Sequence, residues 1–183
     1  LKKILGPQSL DYAATSNNLA NLYSNQGKFA KAEPLYLKTL AIRKKVLGTE
    51  NPDYATSLNN LALLYNRMGN NAKAEPLYLE ALAVRKRVLG IEHPDYATSL
   101  NNLAGLYIYQ GNYAKAEPLY LKALAIQKKT LGKEHPDYAT TLNNLADLYS
   151  RQGYYATAES LYLEALTIRK KVLGVENPIY AVY

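Results

Sequence analysis

Asparagine pairs stand at Asn17-Asn18, Asn59-Asn60, Asn101-Asn102 and Asn143-Asn144, each pair 42 residues from the next. A carboxamide carries a donor and an acceptor together, the same two groups that a peptide backbone presents. Asparagine is also a mediocre helix former, so eight of them inside helical pattern cost stability unless they do something. One repeat apart, Asn18, Asn60, Asn102 and Asn144 could hold an extended peptide regardless of its side chains. The first asparagine of each pair is expected to bond to the backbone of the neighbouring repeat instead. Other residues able to do chemistry are few. His93 and His135, the only histidines, also lie 42 apart and occupy the turn position of Asn51, before Pro-Asp, where a helix cap is expected. One repeat of separation keeps them from sharing a metal unless the array bends sharply. There is no cysteine, which excludes disulfides, thiolate metal sites and thiol nucleophiles and fits a reducing, cytoplasmic setting. No glycine-rich phosphate loop and no nucleophile–base pairing is recognisable. The expectation is a protein that is not an enzyme and uses no cofactor or metal.

The elements that position these residues follow from the same period. Gly6, Gly48, Gly90, Gly132 and Gly174 are spaced by 42, as are Tyr12, Tyr54, Tyr96, Tyr138 and Tyr180. The segment from Pro52 to Ala62 recurs letter for letter from Pro94 to Ala104, and with Thr141 for serine from Pro136 to Ala146. A fixed period of 20–50 residues marks a stacked-repeat array. We expect one all-α repeat domain over 1–183, with full repeats at 10–48, 52–90, 94–132 and 136–174. The end of a truncated repeat at 1–6 and the start of another at 178–183 suggest a fragment cut inside repeat units.

Within Pro52 to Gly90, Asn51 reads as an N-cap, Pro52 as the first helical residue and Asp53 as an acid at the positive helix end. Leu58, Leu61, Ala62 and Tyr65 then mark one face of a first helix. Gly69-Asn70 breaks it, and a second helix starts near Asn71 with Ala74, Leu77, Tyr78, Ala81, Val84 and Val88 on its inner side. Gly90 suits the residue after its end. Pro76, like Pro34 and Pro118, lies beyond the first turn of the second helix, so a slight kink or loosened first turn is expected there.

The net charge is +7. Most basic residues sit in the last turns of second helices, as in Arg43-Lys44-Lys45, Arg85-Lys86-Arg87, Lys128-Lys129 and Arg169-Lys170-Lys171, where they complement the helix dipole. Repetition would line them along one edge, a stripe able to bind acidic protein or phosphates. No motif of a nucleic-acid-binding fold accompanies them, so nucleic acid is not the expected partner. Of 18 tyrosines, most repeat the scaffold positions of Tyr54, Tyr65 and Tyr78, with hydroxyls expected at the rim of a core. Tyr109, Tyr113, Tyr154, Tyr155 and Tyr183 stand outside that pattern and are better candidates for contacts. The apolar runs are short and broken by charge, so no membrane span is expected.

The pattern Leu58-x-x-Leu61-Ala62-x-x-Tyr65, followed by Ala74-x-x-x-Tyr78-x-x-Ala81, resembles the tetratricopeptide repeat. The strings His-Pro-Asp-Tyr-Ala-Thr, Leu-Asn-Asn-Leu-Ala and Ala-Glu-Pro-Leu-Tyr, with the closing Leu-Gly, are similar to the longer kinesin-light-chain type. The resemblance implies an α-solenoid, a right-handed superhelix of antiparallel helix pairs, whose first helices line a concave groove for protein segments. On a wheel of 100° per residue, Thr56, Asn60, Leu63 and Arg67 fall opposite the core face, flanked by Asn59 and Asn66. The implied peptide-facing set is therefore Asn18, Asn60, Asn102, Asn144, Thr56, Thr98, Thr140, Leu63, Asn66 and Arg67, with Gly105, Ile108, Tyr109 and Arg151 at matching places.

Copies within the chain support a constant scaffold with a varied reading surface. Between repeats two and three, Leu63 becomes Gly105, Asn66 becomes Ile108 and Arg67 becomes Tyr109, while core positions barely change. Free drift of exposed positions is the alternative. At Gly105 we expect a shallow pocket for one bulky apolar or aromatic residue, with Ile108 and Tyr109 close by. Arg67 and Arg151 would flank it and favour acidic neighbours. The expected function is a scaffold holding an extended peptide of an unidentified protein partner, in the aromatic-plus-acid style of kinesin-light-chain grooves. The alternatives are a structural array that associates with itself head to tail, and the basic edge described above.

Overall fold

The computed structural model describes residue 6 and residues 8–173. The partial repeats expected over 1–6 and 178–183 fall outside the described residues, apart from Gly6. Eight α-helices follow in order: α1 (Leu10–Asn25), α2 (Phe29–Leu47), α3 (Pro52–Arg67), α4 (Asn71–Leu89), α5 (Pro94–Tyr109), α6 (Tyr113–Thr130), α7 (Pro136–Arg151) and α8 (Tyr155–Leu173). They pack as sequential antiparallel pairs, α1 with α2, α3 with α4, α5 with α6 and α7 with α8. The chain divides into two units, Leu1–Gly90 and Ile91–Tyr183. In the first, α2 packs on α3 and α1 also touches α3; in the second, α6 packs on α7 and α5 touches α7.

Helix boundaries follow from capping. Asn51 accepts through Oδ1 from Asp53 N–H at 2.8 Å. His93 and His135 accept through Nδ1 from Asp95 N–H and Asp137 N–H, each at 3.1 Å. The histidines are thus the caps their position foretold. Between α3 and α4 the chain reverses at Gly69, whose φ of 74° is left-handed. Asn70 N–H reaches back to Tyr65 O at 2.8 Å, and Asn70 Oδ1 then caps α4 through Lys73 N–H at 3.2 Å. Second helices run unbroken through Pro34, Pro76 and Pro118. The first turn of α2 is bonded, with both Lys31 N–H and Ala32 N–H on Lys28 O, so no loosening accompanies the proline.

The core of the first unit gathers Tyr54, Ala55, Leu58, Ala81 and Val84, with Leu40 and Leu77 against it. Each large aliphatic side chain buried here contributes roughly 1.5–3 kcal/mol. Ala62, Ala74 and Ala81 have no exposed surface at all; a methyl at these places lets helix backbones approach closely. Val88, expected on the inner side, is 40% exposed.

Three scaffold tyrosines bond their hydroxyls to glutamates. Tyr54 donates to Glu80 at 2.8 Å within its helix pair. Tyr65 donates to Glu33 on the preceding pair at 2.8 Å, and Tyr149 to Glu117 at 2.7 Å. Burial first, and then the glutamate bond and charge, push Tyr54 and Tyr65 up to about 12. For Tyr149 the bond to Glu117 leads, with the same result of about 12.

Candidate functional site

The expected peptide-facing stripe lies on the first helices. In the first unit Asn60 on α3 donates through Nδ2 to Asn17 Oδ1 on α1 at 3.0 Å. In the second unit Asn144 on α7 donates to Asn101 Oδ1 on α5 at 3.1 Å. The second asparagine of one pair therefore holds the first asparagine of the pair before it, side chain to side chain. This corrects the expected bond to a neighbouring repeat's backbone. Asn17 and Asn59 are buried, Asn60, Asn102 and Asn144 half-buried, and Asn18 exposed. Each engaged carboxamide of Asn60 and Asn144 still carries a second N–H and its carbonyl oxygen.

Other members of the stripe divide by what their side chains already do. The hydroxyls of Thr56, Thr98 and Thr140 donate to the carbonyls of Pro52, Pro94 and Pro136 at 3.0, 3.2 and 2.9 Å. Thr56 also accepts from Arg85 Nη2 at 3.1 Å. Their polar groups thus serve the scaffold, by the back-bonding that threonine makes inside helices. Thr140 also borders a 230 Å³ cleft with Pro136, Ile168 and Arg169. Leu63 is half-buried, and Asn66 is half-buried with its Oδ1 enclosed. Arg67 donates from Nη1 to Ser24 Oγ at 3.1 Å and to Asn25 Oδ1 at 2.9 Å, which draws it onto α1. Ile108 is only 6% exposed, so its side chain does not line an open pocket as expected; Tyr109 beside it is 71% exposed. Arg151 pairs with Asp147 one turn earlier, Nε to Oδ2 at 2.8 Å, which largely neutralises the cation expected to attract acidic peptides.

Gly105 is helical and not in the left-handed region, so the backbone does not require glycine there. A mid-helix glycine costs about 1 kcal/mol against alanine. The one atom beyond its own turn that a Cβ would meet is Tyr120 Oη, at 3.6 Å. Sequence reasoning left that tyrosine in the core, and Tyr120 is indeed 1% exposed. In repeat 1 the equivalent Tyr36 donates to Asn21 Oδ1 at 2.5 Å, and Asn21 is the residue equivalent to Gly105. No local signal could reveal this pairing of a second-helix tyrosine with the stripe, because its two members sit on different helices.

Three cations of the basic edge are paired with glutamates. Arg87 bonds Glu50, Lys129 bonds Glu92 and Lys171 bonds Glu134, each across the turn that precedes the repeat. Arg43 turns inward, giving Nη1 to Ser57 Oγ at 2.9 Å and to Asp53 O at 3.0 Å, so it ties α2 to the start of α3. Among the described residues no group of three His, Cys, Asp or Glu could hold a metal. None of the described helices is long and apolar enough to cross a membrane.

Comparison with known proteins gives one consistent result. No curated protein matches the sequence. Among solved structures, BtubC (BKLC) from P. vanneervenii is 30% identical with a TM-score of 0.75, over 90% of this chain and 66% of that one. A structure from Podosopora anserina, described as kinesin light chain nearly identical TPR-like repeats, is 30% identical with a TM-score of 0.76, over 96% and 82%. The tetratricopeptide repeat model matches residues 11–87, 53–129 and 95–171. With capped helix pairs recurring every 42 residues and these matches spanning nearly all of it, the chain belongs to the tetratricopeptide repeat family, in its kinesin-light-chain-like form.

Proposed function

We propose that this chain is an interaction module that holds an extended segment of a partner protein along its first-helix faces. Tetratricopeptide repeats are in general protein-interaction modules. The observation that carries it is the setting of Asn60 and Asn144. Each is fixed by one bond to the preceding pair and still offers a donor and an acceptor from a half-buried position. A preorganised carboxamide loses little freedom when a peptide backbone docks on it. Tyr109, exposed at the end of α5, supplies a ring for an aromatic residue of the ligand. With Arg151 on Asp147 and Arg67 on α1, preference for acidic neighbours is modest.

The test is a peptide-library selection on the native chain and on folded Asn60→Ala, Asn144→Ala and Asn17→Ala variants. Peptides lost with Asn60→Ala or Asn144→Ala but kept with Asn17→Ala support the reading. Peptides that bind all four proteins alike would remove the asparagines from recognition, and no enrichment on the native chain would sink the reading altogether.

A second reading, head-to-tail association of copies, has its own observation. On α1, Leu19 and Leu22 are 39% and 51% exposed, where Leu61 and Leu64 on α3 are 2% and 0%. At the other end Tyr162 and Leu166 are exposed beside a 300 Å³ cleft on α8, while Tyr36 and Tyr120 at the former's position are buried. Sedimentation across concentration decides it: a mass that grows, and that Leu22→Glu holds at one chain, supports stacking. A constant monomer mass removes it.

A further inference from the structure

In repeats 1 and 3 position 105 and its equivalent face the second-helix tyrosine of the same repeat. In repeat 1 Tyr36 donates to Asn21 Oδ1 at 2.5 Å. In repeat 4 Tyr162 feels the charge of Asp147, which occupies the same place. In repeat 3 that place holds Gly105, and Tyr120 Oη stands 3.6 Å from where a Cβ would be. Nothing else beyond the helix's own turn comes within 4 Å of that point. The result is a notch in α5 with a hydroxyl on its wall, on a side chain almost wholly buried. Burial, and after it the charge of Asp147, raise Tyr120 well above the ordinary tyrosine range, so the hydroxyl keeps its proton and can donate.

We propose that the notch over Gly105 is a subsite for a carboxamide side chain, the Asn or Gln of a bound peptide, which accepts from Tyr120 Oη as Asn21 accepts from Tyr36 in repeat 1. This inference rests on the peptide-binding reading above. A carboxamide is preferred to a carboxylate because Asp147 lies near the hydroxyl and Arg151 is already paired with it. With Arg151 taken by Asp147, a negatively charged ligand group would find no free cation there to offset its desolvation, whereas a neutral acceptor needs none. An apolar group would bury the tyrosine hydroxyl without a partner. Tyr109, one turn on, is exposed.

The experiment starts with random peptides displayed on phage, selected on the native chain. The enriched peptide is then scanned by fluorescence polarisation against the native chain, Tyr120→Phe and Gly105→Asn, each first shown to melt cooperatively with native helix content. On the native chain one carboxamide position of the peptide should outrank its leucine counterpart by roughly three- to tenfold. Tyr120→Phe should erase that ratio, weakening the carboxamide peptide and tightening the leucine peptide that no longer buries an unpartnered hydroxyl, and Gly105→Asn, which fills the notch, should weaken both. A preference that survives Tyr120→Phe, or a carboxylate that binds more tightly than the carboxamide, overturns the subsite while peptide binding stands. Failure of the native chain to enrich any peptide overturns the broader reading, and this one with it.

Discussion

Asn60 donates a carboxamide N–H to Asn17 Oδ1 at 3.0 Å, linking α3 to α1. The bond joins Asn60, which its sequence position had suggested as a ligand contact, to Asn17, which had been expected to serve the scaffold. It assigns a scaffold duty to the same side chain that we propose meets the peptide, and the two duties separate by mutation. Single Asn17→Ala and Asn60→Ala changes should each lower the urea midpoint, and the double mutant should reveal a favourable coupling of about 0.5–1.5 kcal/mol. Asn18→Ala, on an exposed side chain, should stay within about 0.5 kcal/mol of native. Strict additivity of the two changes would refute the bond.

The helices, their caps and the core faces were legible because they depend on residues close in sequence. Asn51, His93, Gly69 and Gly90 act where they stand. Threonine back-bonding was local too and was overlooked: Thr56 and Pro52 are four residues apart. What could not be read was anything fixed by docking one helix on another. The wheel placed Ile108 on the outer stripe, yet only packing decides that it is buried while Tyr109 is open. The asparagine ladder, the pairing of edge cations with turn glutamates, and the approach of Tyr120 to Gly105 all join residues on different elements.

The histidine caps are interchangeable with asparagine. His135 accepts from Asp137 N–H as Asn51 does from Asp53 N–H. His135→Asn should therefore leave the melting temperature near native, while His135→Ala should cost about 1 kcal/mol. Equal loss from both changes, measured by thermal and urea unfolding, would mean that the imidazole is needed for something other than capping.

Alkaline stability should fall through a defined window. Tyr54, Tyr65 and Tyr149 are raised to about 12 in the folded chain, against roughly 10 when unfolded. A raised folded value means that the native state binds the proton more tightly, so this contribution is complete below about pH 10. It is lost as pH climbs through about 12. Urea midpoints should drop across that interval, and Tyr65→Phe with Tyr149→Phe should flatten the drop. Tyrosinate absorbance that rises fully near pH 10 in the folded chain would show that these hydroxyls are not held as the structure indicates.

The basic edge should bind nucleic acid only once it is unpaired. Glu50, Glu92 and Glu134 each hold a cation of the following repeat, and all these groups are well exposed, so the pairs add little to stability. A triple Glu→Gln variant should fold as the native chain does and acquire affinity for single-stranded or duplex oligonucleotides that decays steeply with added salt. The native chain should show none at low salt. Salt-sensitive binding by the native chain in gel-shift or anisotropy assays would restore the edge as a functional surface.

Gly105 and Gly111 sit six residues apart and should respond to alanine in opposite directions. Gly105 has an ordinary helical backbone, and a Cβ would touch only Tyr120 Oη at a van der Waals distance of 3.6 Å. Gly105→Ala should therefore stabilise the chain by about 0.5–1 kcal/mol through helix propensity. Gly111 turns the chain between α5 and α6 at a φ of 72°, a conformation that costs an L-residue about 1–2 kcal/mol. Gly111→Ala should destabilise accordingly, although nothing stands within 4 Å of its would-be Cβ. Urea unfolding of the two variants side by side reads the difference. If Gly105→Ala is destabilising, the space over α5 is already filled and the notch does not exist as a place for a ligand side chain. If it stabilises, glycine there is sustained by neither backbone nor packing, which is what a position kept open for an incoming group requires.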